Sequence, residues 1–367
     1  MKYHGSISIS RQVLIAAVHP IPNRLDRIDD HSWKEVDWTW LLSTAQKHKI
    51  AALMVSRLLQ PHLRRFVTDP VRERFIRIRK ESEERSQLTI STLQTVSRHL
   101  GRKEIPFVLL KGEVLAQLLY RCPSLRPSYD LDLGVGVDSL EDAEEVLKSL
   151  GFRNYLWGKN REEMLKTGYD LSFMPPDKGL SLRPVELLWR LNPGYVQINL
   201  EDMWQHTREF HLHGITIRAL SFEANLIHLA IHAISDALEL KLRLLSLCDI
   251  ARFITRLRNE LSWDKVWGLA DSWGARYYLE RSLFLVDRVF GIREEGGLVE
   301  GATSLLLSYL SWPVTSEREI IDQPLPRNRY LKNLKRILNV MLLELSLARC
   351  PSRSLKWAVT FAGKVAH

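Results

Sequence analysis

The sequence predicts a chain of mixed α and β structure, in which helical regions at residues 1–100 and 221–367 enclose a small α/β or α+β unit at 101–220. Three observations support this prediction. Apolar residues recur at helical spacing in both outer regions. The middle region instead contains short apolar or alternating runs, which are typical of strands, with helical segments between them. Prolines and glycines separate these runs, as they do at turns.

The N-terminal region is predicted to hold helices from residue 38 to about 100. Asp37 is placed to cap the first helix, which begins at Trp38. Two further helices are expected at 50–59 and 71–100. The arginine-rich stretch 72–85 could contact nucleic acid, but the glutamates interleaved with its arginines favour a solvated helix face.

The middle region carries the predicted sheet. Strands are predicted at 107–110, 130–137, 169–174 and 185–189, with a turn at 175–179 and helices at 113–120 and 140–150. Gly151 is expected to end the second of these helices, because glycine readily adopts the left-handed conformation of a helix C-terminus.

The C-terminal region is predicted to be helical again. Ser221 and Ser262 each stand before an apolar helical pattern and are expected at helix starts. The stretch 327–347 predicts a helix that is basic and amphipathic in its first half. We expect it to dock on the helical region, with contact to a membrane surface or a partner as the alternative.

Composition excludes several classes of protein. The net charge of +9, from 52 Lys+Arg and 43 Asp+Glu, suits an anionic ligand or reflects a basic solvated surface. Only three cysteines are present, without CxxC spacing, which argues against a disulfide framework or a zinc site. No signal peptide or transmembrane segment is recognisable. The sequence therefore predicts a cytoplasmic protein.

Two aspartates define the candidate site. In the predicted strand 130–137, a two-residue period puts Asp130 and Asp132 on one face, with Gly134 and Gly136 after them to leave room for a ligand. The residues on the other face are expected to enter the core: Leu131, Leu133, Val135 and Val137. Two neighbouring carboxylates repel each other unless a cation lies between them, and such oxygen ligands suit Mg²⁺.

Glu186 is the candidate third acid. It lies within an apolar predicted strand, where an acid either faces water at a sheet edge or is functional. Strand alternation points it away from Val185 and Leu187. We expect its carboxylate within about 4–6 Å of those of Asp130 and Asp132, the range over which carboxylates share metals.

A series of motifs connects the strand to the rest of the chain. They are Leu110-Lys111-Gly112, Tyr120, Arg126, Asp130-Leu131-Asp132-Leu133 and Gly151-Phe152, followed by residues 225–233, residues 243–250 and Ser262-Trp263. In this combination, over about residues 30–290, the chain resembles the bacterial uncharacterised nucleotidyltransferase family of the DNA polymerase β-like superfamily. The resemblance implies an α+β fold with a small mixed sheet, Mg²⁺ or Mn²⁺, and transfer of a nucleoside monophosphate from an NTP, for which we expect ATP.

The resemblance also implies which residues bind the nucleotide. Lys111 and Gly112 stand where the superfamily grips the triphosphate, and backbone N–H groups at the start of that helix can meet phosphate. Arg126 is expected to pair with the acids or with phosphate. Arg243 is expected to bind phosphate with Asp249 orienting it, and a purely structural Arg243–Asp249 pair is the alternative.

Two departures from the family pattern keep a second interpretation open. Glu113 replaces the serine at the helix start, and Leu188 replaces a histidine two residues after the third acid. These departures favour a catalytically degenerate binding partner, whereas the retained aspartates favour an enzyme. His228 and His232 are expected to pack between helices rather than to bind a ligand. The acceptor could be a protein, a small molecule or RNA.

Overall fold

A computed structural model describes residues 2–155, 160–176, 182–191, 196, 198–238, 241–292 and 321. The predicted α+β class is confirmed, since helices lie on both sides, along the sequence, of a mixed sheet. Buried residues from all three regions form one hydrophobic cluster, from Val13 on the first helix to Phe290 on the last described one. The domain bounds at 100 and 220 stay a prediction.

The N-terminal region consists of helices, as predicted. They are α1 (Lys2–Val18), α2 (Trp38–Lys47), α3 (Ala51–Leu58) and α4 (Asp69–Arg102). The cap on α2 is confirmed, because the side chain of Asp37 accepts a hydrogen bond of 2.9 Å from the backbone N–H of Trp40. Arg77 and most other charged residues on α4 are exposed, in agreement with the solvated face.

The middle region contains nine strands among the described residues. Their bounds are β1 (Phe107–Leu110), β2 (Leu131–Val135), β3 (Arg153–Tyr155), β4 (Asp170–Met174), β5 (Val185–Leu188), β6 (Arg190–Leu191), β7 (Ile198–Asn199), β8 (Thr207–Leu212) and β9 (Ile215–Leu220). Seven of them form one sheet in the order β3-β4-β5-β2-β1-β9-β8. The helices between them are α5 (Gly112–Leu119), α6 (Leu140–Ser149), α7 (Arg161–Thr167) and α8 (Leu200–Trp204).

The register at the centre of the sheet positions the acids. β1 and β2 are antiparallel, with Leu110 opposite Asp132. β2 and β5 are parallel, with Asp132 opposite Glu186. Residues that are directly opposite point to the same face of a sheet, so Asp132 and Glu186 project side by side. Lys111 follows Leu110 directly and therefore lies beside them.

Two predictions about the aspartate strand were wrong. The strand ends at Val135, and Val137 is 58% exposed because the chain has already turned toward α6. Gly134 does not leave room for a ligand: a Cβ there would lie 2.9 Å from Leu200 Cδ1. The missing side chain of Gly134 thus admits Leu200 of α8 and packs that short helix on the sheet.

The C-terminal region comprises α9 (Phe222–Leu238), α10 (Leu244–Arg256), α11 (Trp263–Ser272) and α12 (Arg276–Phe290). Ser221 begins α9 with a 3.3 Å hydrogen bond from Ala224 N–H, whereas the Ser262 side chain makes no capping hydrogen bond at α11. No helix in the described ranges has the length and apolar character to cross a bilayer. The predicted tail helix at 327–347 lies outside the described residues.

Candidate active site

A cavity of about 270 Å³ opens where the ends of β1, β2 and β5 meet the helices α9 and α10. The sheet contributes Asp132 and Glu186, and the loop before β2 contributes Asp130. α9 and the start of α10 close the opposite wall. All eight residues predicted for the site line this cavity: Lys111, Gly112, Arg126, Asp130, Asp132, Glu186, Arg243 and Asp249.

The three acids form one cluster. One carboxylate oxygen from each of Asp130, Asp132 and Glu186 lies within 4.8 Å of the others, inside the distance expected from the sequence. Burial, followed by repulsion from Asp132 and Asp130, raises the pKa of Glu186 to about 8. Burial and Asp132 likewise raise the pKa of Asp130. The neighbouring carboxylates thus make ionisation of Glu186 and Asp130 less favourable, which is the situation that a bound cation relieves.

Lys111 is the cation closest to this cluster. Its Nζ lies 3.4 Å from Asp132 Oδ2. Burial alone would lower the pKa of Lys111, but attraction to Asp132, Asp130 and Glu186 outweighs burial and raises it. The residue adopts φ 45° and ψ −128°, a backbone conformation that costs energy for any residue with a Cβ. This backbone conformation turns the chain sharply from β1 into α5.

Gly112 follows in the same turn, with φ 32°. A Cβ at Gly112 would lie 3.1 Å from Ser128 Oγ, so glycine allows the loop before β2 to approach the start of α5. Arg126 Nη1 donates a 3.2 Å hydrogen bond to the carbonyl oxygen of Gly112. The backbone at the start of α5 is therefore contacted by Ser128 and by the side chain of Arg126.

Arg126 and Asp249 form a buried ion pair behind this turn. Arg126 Nε and Nη2 donate to both carboxylate oxygens of Asp249 at 2.8–3.0 Å, and Tyr120 Oη donates to Oδ1 at 2.6 Å. The expected pairing of Arg126 with the strand acids was therefore wrong, as was the pairing of Asp249 with Arg243. Burial and the charge of Asp249 raise the pKa of Tyr120 well above its usual value.

Two cations without a carboxylate partner among the described residues face the cavity. Arg243 stands at the start of α10, and Lys49 follows α2 in the N-terminal region. The Lys49 ammonium lies 4.3 Å from the centre of the Tyr129 ring. Burial and repulsion from Arg243 lower the pKa of Lys49. Sequence reasoning missed Lys49, since a lone lysine far from the aspartates carries no local signal.

α9 contributes a row of polar residues to the opposite wall: His228, His232 and Asp236, spaced four apart on one helix face. His232 Nδ1 lies 3.6 Å from Asp236 Oδ2. His228 is buried, and its Nδ1 has no hydrogen-bond partner within the described part of the chain. Burial, followed by Lys111, lowers the pKa of His228 well below its usual value. The prediction that both histidines only pack between helices missed their place on the cavity wall.

Glu113 and Leu188, the two residues that depart from the family pattern, lie in different surroundings. Glu113 is fully buried and points away from the cavity, with one carboxylate oxygen 3.3 Å from His213 Nε2 in the β8–β9 turn. It therefore does not obstruct the start of α5. Leu188 lines the cavity beside Glu186 and offers no polar group there.

Comparison with known proteins identifies a family for this chain. The sequence profile of a family described as "Uncharacterised nucleotidyltransferase" matches residues 34–291. No curated protein matches the chain. The chain is similar to the solution structure of the antibiotic-resistance factor ANT(2'')-Ia, with 15% identity over 51% of this chain and 92% of that chain and a TM-score of 0.37. An antigenic nucleotidyltransferase-like protein from Paracoccidioides brasiliensis gives 16% identity, coverage of 51% and 93%, and a TM-score of 0.32.

Proposed function

The chain belongs to the uncharacterised nucleotidyltransferase family, and on this premise we propose that it transfers a nucleoside monophosphate from an NTP to an acceptor. We propose ATP as the donor, with Mg²⁺ or Mn²⁺ as the metal. The observation that carries the proposal is the cluster of Asp130, Asp132 and Glu186, whose carboxylate oxygens lie within 4.8 Å of one another in a cavity large enough for phosphates.

The donor set fits a hard divalent cation. Three carboxylates offer oxygen ligands only, and mutual repulsion disfavours their simultaneous ionisation without a cation. Asp130, Asp132 and Glu186 are therefore the residues that would hold Mg²⁺. The ion would supply charge neutralisation for the phosphoryl group during in-line displacement.

The cations around the triad suit the phosphates. Lys111 lies against the acids, and Arg243 and Lys49 face the same cavity without a described carboxylate partner. Charge-assisted hydrogen bonds to phosphate oxygens are among the stronger polar contacts in proteins. The backbone at Gly112 would add N–H donors at the start of α5. In this proposal Arg126 and Asp249 act on the nucleotide indirectly, by holding the Gly112 turn.

The proposed reaction is a substitution at the α-phosphorus. The acceptor oxygen forms a bond to this phosphorus, the bond to the α,β-bridging oxygen breaks, and pyrophosphate leaves. The acceptor's proton passes to a carboxylate, and Glu186 is the residue that we assign to this step. The acceptor, whether a protein, a small molecule or RNA, would approach along the α9 wall.

Two matched variants test the proposal. Calorimetry should show that Asp132→Asn loses Mg²⁺-dependent ATP binding while its fold is unchanged. Glu186→Gln should keep most ATP binding but lose about 10²–10⁴-fold in transfer or in ATP-to-pyrophosphate turnover, the usual contribution of a proton-accepting group. Equal metal-nucleotide binding by Asp132→Asn and the unaltered chain would refute the site. Binding without turnover in the unaltered chain would favour the degenerate, partner-binding interpretation.

A further inference from the structure

A second cavity, of about 120 Å³, lies between α3, α5 and α10, apart from the cavity that holds the acids. Four arginines line it: Arg57 from α3, Arg121 from the loop after α5, and Arg252 and Arg256 from α10. Arg252 and Arg256 are four apart on α10, so they lie on the same face of that helix. We call this group the four-arginine cluster.

No described residue lining this cavity is acidic. None of the four arginines forms an ion pair in the described ranges, although the chain forms such pairs at many other places. Arg252 is buried, and its Nη1 donates a 3.0 Å hydrogen bond to the carbonyl oxygen of Val18. Its guanidinium also lies 5.0 Å from the centre of the Tyr120 ring. These neutral contacts orient Arg252 without compensating its charge.

The four charges act on one another. Burial lowers the pKa of Arg57, and repulsion from Arg252, Arg121 and Arg256 lowers it further. Burial and repulsion from Arg252 and Arg121 also lower the pKa of Arg256. Arginine does not lose its proton in proteins, so the repulsion remains as an energetic cost in the folded chain. An anion in the cavity would remove that cost and gain hydrogen bonds.

We propose that the four-arginine cluster is a binding site for a phosphate group of a small molecule, separate from the nucleotidyltransferase cavity. Guanidinium groups present planar pairs of N–H donors that match phosphate oxygens, and their weak hydration makes them suited to partly buried phosphate sites. Ser56 and Gln60 line the same cavity and add neutral polar groups. The volume of about 120 Å³ holds one tetrahedral anion, since a water molecule occupies about 30 Å³ in the liquid.

Calorimetry with inorganic phosphate on the full chain tests the proposal, with sodium chloride at matched ionic strength to account for screening. Arg57→Gln/Arg256→Gln should weaken phosphate binding at least tenfold. Both side chains reach solvent, and Arg252 is left in place, so this variant should fold. It should also melt at a higher temperature than the unaltered chain in phosphate-free buffer, because it removes like-charge repulsion.

The controls separate this site from the other possibilities. Arg77→Gln/Arg98→Gln removes the same charge from exposed positions on α4 and should bind phosphate as the unaltered chain does. Lys111 lies in the other cavity, whose cations are proposed to meet nucleotide phosphates, so Lys111→Ala serves as a common background in which phosphate binding there is weakened. Phosphate binding in this background that is unchanged by Arg57→Gln/Arg256→Gln would overturn the proposal. Equal weakening by both double variants would likewise overturn it, as an effect of net charge. None of these outcomes depends on nucleotidyl transfer.

Discussion

One cavity contains both Asp249 and the cluster of Asp130, Asp132 and Glu186, and the surroundings of the two are opposite. Asp249 accepts hydrogen bonds from Arg126 and Tyr120 at both of its oxygens. The cluster of Asp130, Asp132 and Glu186 instead has one ion pair among the described residues, that of Lys111 with Asp132. A buried acid whose oxygens accept hydrogen bonds from a counter-charge stabilises the fold. A cluster of acids whose negative charge is only partly neutralised instead favours binding of a cation. The difference separates a residue that stabilises the cavity wall from residues that would bind a metal ion in the cavity.

The sharpest test of this comparison is Asp249→Asn. The variant leaves the Arg126 guanidinium buried without a counter-charge, and breaking such a pair costs about 3–5 kcal/mol in the free energy of unfolding. Denaturant titration measures this loss. Asp132→Asn is the matched control, because it removes the buried acid of the crowded cluster. If Asp132→Asn destabilised the metal-free protein as much as Asp249→Asn does, the comparison would fail.

A smaller effect is expected at the cations. Lys111→Ala and Arg243→Ala should each weaken NTP binding by about 1–3 kcal/mol, as for the loss of a charge-assisted hydrogen bond to phosphate. Arg243→Ala should leave the melting temperature unchanged, since Arg126 is the partner of Asp249. A lower melting temperature with unaltered NTP binding would assign Arg243 a structural role instead.

Another effect concerns pH. With the pKa of Glu186 at about 8 in the folded protein and 4.5 ordinarily, the unfolded chain loses this proton before the folded chain does. The contribution of Glu186 to the free energy of unfolding should therefore be fully present below about pH 4.5 and be lost as the pH rises toward about 8. Bound Mg²⁺ requires ionised ligands, so it should raise the melting temperature more at the alkaline end than at the acidic end.

Glu186→Gln cannot ionise and serves as the control, whose melting temperature should vary less with pH over that range. Stabilisation by Mg²⁺ that is independent of pH, or equal in this variant, would contradict the assignment of Glu186 to the metal.

Features with a local pattern could be predicted from the sequence. The apolar run of β1 and the Asp37 cap each depend on neighbouring residues, and the structure reproduces them. A strand also lies within the predicted 130–137, but it covers only Leu131–Val135 and is buried throughout. The β8–β9 hairpin was contained in the predicted middle region but not recognised as strands. Its signal was the His213-Gly214 turn between two alternating stretches.

Features that depend on distant residues could not be predicted. The resemblance suggested Arg243 as a partner of Asp249, yet the partner is Arg126, 123 residues away. Lys49 reaches the cavity from the N-terminal helices, and the four-arginine cluster combines α3 with α10. Such pairings are decided by how helices pack, which a single sequence does not encode in any short window.

The span of the cavity along the chain, from Lys49 to Asp249, also bears on how the protein is made. Contacts between residues far apart in sequence form slowly, because a long loop must close first. During synthesis Asp130 and Asp132 leave the ribosome well before α10 does. Arg126 therefore meets its carboxylate partner Asp249 only after α10 has emerged, and a chain that stops before α10 lacks that wall of the cavity.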